Sequence, residues 1–380
     1  MPDQLDDDSR IRITHGGPFH ELMSALRLRK RGRRAFAFVC LAWAIPLLLA
    51  CTAGDFQGAG QFLHDWGAYA KFLIAPALLT LSERPITFAV DECVSIFFRV
   101  PLYASQSKED ALRAIATARE RTSAWVPELT CLALAAMASI LSAAGMAETA
   151  SPAWALSGSS LSTAGIWAVA VSNTLYWFLL ARLIWKHMVW AGCLSELAAC
   201  HLRLVVTHPD GHAGLGFLGL YPAGYVLFTF AVSSVAAAGV GHVIQNQAVT
   251  PGLFTIVCAI WLVIVAGYFA LPLVSIASRL ADLKRRTLLL SMAKATDFER
   301  WNERAIFGDN ILDDEAEPEA SEYHDVRPVW SAALKTSVLL LNRSNALPVL
   351  VPALLPMLAV GAFFLPYAQL WPMVKRLLLL

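Results

Sequence analysis

The chain has 380 residues, 57% of them hydrophobic and only 16% charged, whereas soluble domains average about 25% charged. Thirty Lys and Arg against 29 Asp and Glu leave a net charge of +1, so no global field gathers nucleic acid or another polyanion. Composition thus argues against an ordinary soluble enzyme and against nucleic acid as a partner. It favours an all-α, polytopic transmembrane helical bundle with cytoplasmic helical extensions. Cys40, Cys51, Cys93, Cys131, Cys193, Cys200 and Cys258 include no C-x-x-C pair, so neither a disulfide framework nor a Cys-rich zinc site is indicated.

Residues 1–34 read as a cytoplasmic tail, opening on the acidic, disordered stretch Asp3 to Asp8 and closing on a basic run from Arg27 to Arg34. About 20 apolar residues span the hydrocarbon, and residues 35–82 hold the first two spans. Ala35 to Gly54 is charge-free. Leu48-Leu49-Ala50-Cys51 ends that span rather than marking a lipoprotein cleavage site, because the hydrophilic leader is too long. The second span, Trp66 to Ser82, follows from parity: the basic stretches ending at Arg34 and running from Arg99 to Arg121 both belong in the cytoplasm, so one crossing lies between them. Lys71 then snorkels outward beside Asp65 and Trp66.

Residues 83–124 read as a cytoplasmic helical segment, with Leu112, Ile115 and Ala116 set among charges. Residues 125–276 hold spans three to six, with a cytoplasmic loop at 186–218. The third is Leu129 to Ala147, and the fourth occupies the second half of Thr149 to Ala181 after a Ser/Gly/Pro-rich loop. Gly211 to Ser278 lacks any Asp, Glu, Lys or Arg and folds back at Gln245-Asn246-Gln247, giving spans near 219–244 and 252–276. Trp185 and Trp190 are expected at the interface. Residues 277–343 continue as a cytoplasmic helix, an extension of the sixth span, and an acidic linker from Asp309 to Glu322. Residues 344–380, with Pro348, Pro352, Pro356, Pro366 and Pro372, read as a kinked seventh span, a re-entrant hairpin being the alternative.

With the amino terminus inside, 26 of the 30 Lys and Arg fall in the cytoplasmic stretches 1–34, 99–121, 182–209 and 276–345 and none in the outer loops 52–67, 146–163 and 245–251. Such residues contact anionic lipid at the cytoplasmic face. The bilayer is therefore the first expected partner, with a homo-oligomer or another membrane protein beside it.

The stretch Leu202 to Gly219 carries the candidate chemistry. His208, Asp210 and His212, with His201 or His187, offer imidazole and carboxylate ligands for a metal such as Zn²⁺. Alternatively His208, Asp210, Gly214 and Gly216 form a binding site at the cytoplasmic mouth, where free N–H groups at a helix start hold an anion. The residue types favour a third reading first, a structural turn in which Thr207 caps and Asp210 reaches back to it, with Pro209 in the first turn. The G-x-G-x-x-G match at 214–219 is coincidental, since a span follows and no acidic residue lies about 20 positions on. The His-Pro-Asp triplet lacks the soluble helical hairpin of a J-domain.

Together with Ala75-Pro76-Ala77-Leu78-Leu79-Thr80-Leu81-Ser82-Glu83, Trp125-Val126-Pro127-Glu128-Leu129 and the Pro-rich, Leu-ending tail, this stretch resembles a family of uncharacterised bacterial multi-pass membrane proteins of about this length. The resemblance covers most of the chain and implies a multi-pass fold in a bacterial inner membrane, without an activity or catalytic residues. In that family an Arg and an additional Gly follow His-Pro-Asp, whereas Gly211, His212 and Ala213 stand here. A role for His212 is therefore not a family property.

Polar residues within the spans are few, and Asn173, Ser233 and Ser234 are the candidates to line a pathway; Glu128 stands at an edge. No charge falls at a bilayer midplane, which argues against a proton-coupled carrier or voltage sensor. Ala135, Ser139 and Ala143 recur every four residues, a small face for close helix packing. No hydrolase, metalloprotease or phosphate-loop motif is present, so no enzyme class or cofactor is implied. The expectation is a passive channel or transporter for an ion or small solute, and the alternative a non-catalytic scaffold or signalling partner acting through its cytoplasmic helices.

Overall fold

Among the described residues, seven helices are long and apolar enough to cross a bilayer, and they follow the charge-free runs of the sequence. The structure, a computed structural model, describes residues 13, 17–52, 56–148, 153–157, 160–246, 250–312 and 324–364. A short α1 (Pro18–Ala25) precedes α2 (Arg31–Thr52), α3 (Phe56–Leu63), α4 (Trp66–Arg99), α5 (Lys108–Ser123), α6 (Trp125–Glu148), α7 (Thr163–Ala199), α8 (Gly216–Asn246), α9 (Pro251–Phe307), α10 (Arg327–Lys335) and α11 (Arg343–Phe364). The helices of spanning length are α2, α4, α6, α7, α8, α9 and α11. The fold is an all-α, multi-pass membrane bundle. Large apolar side chains left uncovered along it, such as Ile140, Val263 and Ile264, suit a lipid surround.

The chain alternates between two ends. The basic end gathers the starts of α2, α6, α8 and α11 with the finishes of α4, α7 and α9; the loop end gathers the rest. At the loop end, Ser162 caps α7, accepting from the Gly165 N–H at 3.0 Å and donating to the Trp154 carbonyl at 3.0 Å. A Cβ on Gly165 would stand 2.2 Å from the Ala155 carbonyl oxygen, so only glycine lets this loop close over the helix.

Several boundaries differ from the sequence expectation. The helix that carries the second span does not end at Ser82: α4 runs unbroken to Arg99, so the segment after Ser82 begins as its continuation, because Glu83 is paired inside the protein and its charge does not end the helix. Trp190 is not an interfacial anchor but is 1% exposed, on the face of α7 that packs against Tyr221 with ring centroids 6.2 Å apart. The extension of the sixth span holds, with α9 continuing past a 3-10 turn at Leu271–Leu273 through to Phe307. The described part of the last apolar segment, Arg343–Phe364, is one helix with Pro348, Pro352 and Pro356 inside it. Their spacing of four places the missing N–H groups on one face. Pro366, Pro372, Asp3 to Asp8 and residues 313–323 of the acidic linker lie outside the described residues.

Three helices carry a π-helical turn: Cys40–Ala44 in α2, Tyr69–Ile74 in α4 and Ala168–Asn173 in α7. The first two end two residues before a proline, Pro46 and Pro76. A proline supplies no N–H and its ring crowds the carbonyl four residues back, so a widened turn just before it relieves the clash. All three turns pack against one another near the loop end. The expected small face on α6 also forms, with Ala135 buried and the Thr174 hydroxyl of α7 donating to Ser139 Oγ at 3.0 Å.

Candidate functional site

The turn at 207–216 closes on itself. The Asp210 carboxylate accepts the backbone N–H groups of His212 at 2.9 Å, Gly214 at 3.0 Å and Gly216 at 2.9 Å, and lies 2.8 Å from His208 Nδ1. Asp210 therefore reaches forward, not back to Thr207, because no α-helix begins at that point and the free N–H groups follow it. Burial would raise the Asp210 carboxyl, but the N–H donors of His212, Gly216 and Gly214 and the His208 imidazole outweigh it and hold it below the usual range. The N–H groups proposed for an external anion are thus donated to the chain's own carboxylate. Gly211, at φ 67°, and Gly214, at φ 97°, supply the left-handed backbone this needs. The turn also clasps the chain ahead of α11, with Ser337 N–H donating to the Gly211 carbonyl at 2.9 Å and His212 Nε2 lying 3.3 Å from the Leu339 carbonyl.

As metal ligands the histidines are dispersed. His201 Nδ1 lies 3.3 Å from Ser107 Oγ, and His187 is fully buried, stacked 3.9 Å from Tyr268 and 2.9 Å from its carbonyl. Among the described residues no group of three His, Cys, Asp or Glu is placed to hold a metal ion.

The basic end holds a buried charge network. Glu83 of α4 accepts from both Arg34 of α2 and Arg182 of α7. Arg182 also donates from Nε to Glu128 Oε1 of α6 at 3.0 Å. The amino-terminal segment completes the network: the Phe19 N–H donates to Glu128 Oε2 at 2.6 Å, and its ring lies 4.5 Å from the Arg182 guanidinium. Beyond it, Ile13 is held by Asp91 and Thr122. Beside this network a cavity of about 590 Å³ is lined by Arg29, Lys30, Arg31, Arg34, Arg84, Arg182 and Lys186, with Glu83 the one carboxylate among the described residues. Such an excess of cations in a half-enclosed space draws anions.

A second cavity, of about 290 Å³, enters from the loop end between α4, α7 and α8. Asp65, at its rim, accepts from the Gly67 N–H at 2.8 Å and Trp154 Nε1 at 2.8 Å, with His242 Nε2 3.5 Å away. Burial would raise the Asp65 carboxyl, but His242, Trp154 and the Ala68 N–H hold it below the usual range. Deeper lie Lys71 and Asn173, each on a π-turn. Lys71 does not snorkel to the headgroups; its ammonium sits 5.5 Å from the Tyr176 ring and 5.7 Å from the Trp177 ring, because the aromatic face of α7 offers a closer cation–π partner.

Of the expected pathway residues, only Asn173 lines this cavity. Ser233 Oγ accepts from Trp261 Nε1 at 3.0 Å and Ser234 Oγ donates to the Phe230 carbonyl at 2.8 Å, so both are spent on helix packing.

The two cavities stand on the same helix pair. On α4 the loop-end cavity reaches Phe72 and the basic cavity begins at Leu81; on α7 the corresponding residues are Asn173 and Arg182. Nine residues on each helix, about 13.5 Å at 1.5 Å per residue, separate them. Ala75, Leu79, Tyr176, Leu179 and Leu180 fill that interval as buried core.

Comparison with known protein families, curated proteins and solved structures gives no match for this chain.

Proposed function

We propose that the protein is a passive channel or transporter for a small anionic solute, set in a bacterial inner membrane with its amino terminus in the cytoplasm. The observation that carries this reading is the alignment of two cation-bearing cavities on the α4–α7 seam, separated by one short apolar interval. Lys71 and Asn173 serve the outer side, the Arg34–Arg182–Lys186 group the inner side, and Leu79 with Leu179 closes the path between them. The residue asymmetry of the sequence supports the orientation. The quoted motif residues support membership of the uncharacterised bacterial family. Anionic headgroups at the cytoplasmic face then lie level with the basic end.

The test is efflux of anions from liposomes containing the purified protein. Flux above empty vesicles is expected, raised severalfold by Leu179→Ala, which thins the seam. No flux of chloride, phosphate, butanoate or a hydroxycarboxylate above empty vesicles overturns the reading.

One observation favours the second reading, a scaffold: Leu289, Leu290, Met292, Ile306 and Phe307 are all more than half exposed on α9 beyond the basic end. Loss of a membrane-extracted partner on changing these residues to Ser, with anion flux absent throughout, would favour it over the conduit.

A further inference from the structure

Lys71 and Asn173 are left unanswered among the described residues. Lys71 makes no ion pair among the described residues; its ammonium meets only the Tyr176 and Trp177 rings. Asn173 is 3% exposed, and neither its amide nitrogen nor its amide oxygen has a hydrogen-bond partner among the described residues. A buried amide without partners is costly and rare in folded proteins. The rim carboxylate cannot answer Lys71, because Asp65 is committed to Gly67, Ala68, Trp154 and His242.

The two residues are brought together. Tyr176 and Trp177 lie three and four positions after Asn173, on the same face of α7, so the Lys71 ammonium sits beside the face that presents Asn173. Both side chains leave from π-turns, Tyr69–Ile74 and Ala168–Asn173, local distortions that recur at functional sites. Asn173 lies about 15 Å into α7 and Lys71 about 7.5 Å into α4, and a cation within a span marks a ligand path. Apart from the paired Asp65 and His242 at the rim, the remaining wall is apolar, including Phe72, Val169, Val235 and Ala238.

This set of groups defines a ligand. The lone ammonium calls for one negative charge, which excludes a multiply charged phosphate. The amide N–H calls for an acceptor beside that charge, and the amide carbonyl calls for a donor. The apolar wall calls for a hydrocarbon body, which a halide lacks, and 290 Å³ holds about ten water-sized groups at ~30 Å³ each. We propose that this cavity binds a small hydroxycarboxylate. Its carboxylate pairs with Lys71 and accepts from Asn173 Nδ2, its hydroxyl donates to Asn173 Oδ1, and its alkyl tail lies against Phe72 and Val235. The assignment rests on the conduit reading only in taking this ligand as the solute that is moved.

The experiment is calorimetric titration of the full chain in nanodiscs with 2-hydroxybutanoate, butanoate and butanamide, alongside anion efflux from liposomes. The expected order of affinity is 2-hydroxybutanoate, then butanoate, with butanamide not bound. Lys71→Met and Asn173→Leu each weaken 2-hydroxybutanoate at least tenfold. Ala238→Leu, which fills the cavity without touching either polar group, weakens it as well and keeps the test valid should a polar variant misfold. No binding of either carboxylate, equal binding of butanamide, or binding indifferent to Lys71→Met overturns the site. Butanoate binding as tightly as 2-hydroxybutanoate overturns the role of the hydroxyl. Binding without flux leaves the site standing and removes the conduit; flux without binding does the reverse.

Discussion

Arg182, midway along α7, donates from Nε to Oε1 of Glu128 in the first turn of α6 at 3.0 Å. Both side chains are nearly buried, and Arg182 holds Glu83 at the same time, so one guanidinium fastens α4, α6 and α7. Removing one partner of a buried pair strands the other charge. Arg182→Met is therefore expected to cost about 3–5 kcal/mol, read by denaturation in detergent micelles. Adding Glu128→Gln to that variant should recover part of the loss, and a single variant as stable as the native protein would show that the network does not hold the helices.

Phe19 closes the same network from the tail side. Its ring is 7% exposed, and truncation of a buried Phe costs about 3 kcal/mol or more. Phe19→Ala should release the amino-terminal segment first. Trypsin cleavage at Arg27, Arg29 or Lys30 is then expected to rise tenfold or more, the ratio that about 1.4 kcal/mol gives. Unchanged cleavage would place the holding contacts elsewhere.

The Asp210 turn carries a pH dependence with a defined sign. Its carboxyl is held below the ordinary value, so its contribution is fully present above the unfolded value, near 3.9, and is lost as pH falls through the lower folded value. At neutral pH, Asp210→Ala leaves three N–H groups without their acceptor, a loss of about 1–2 kcal/mol for a half-exposed group. The difference between native protein and variant should shrink only below about pH 4. A difference that already fades between pH 5 and 7 would show that the Asp210 carboxyl does not set it.

Gly219 marks the closest approach of α8 to the chain entering α11. A Cβ there would stand 2.4 Å from the Leu340 carbonyl oxygen, a backbone contact that no rotamer relieves. Gly219→Ala is expected to destabilise by about 1–3 kcal/mol, whereas Gly239→Ala, where nothing lies within 4 Å, should be neutral or slightly stabilising. Parallel melts of the two variants separate packing from helix propensity.

The helices were legible because the hydrocarbon demands long runs without charge, and Gly211 to Ser278 or Leu129 to Ala147 satisfies that demand openly. The network at the basic end was not. Arg34, Glu83, Glu128 and Arg182 each sit at the end of a different apolar run, where a charge ordinarily reports topology, and nothing in their spacing says that they meet. Asn173 stood out as a polar residue inside a span, but Lys71 was misread because snorkelling considers only the lysine's own helix and not the aromatic rings facing it. Two of the three π-turns had a local sign in Pro46 and Pro76. The third, in α7, has none.

The part of α9 from Val274 to Phe307 is a single 34-residue helix, about 51 Å long, joined at Pro272 to the segment within the bundle. Tilting that rod by about 10° sweeps its tip through roughly 9 Å. Any change of angle at its root is thereby magnified along its length.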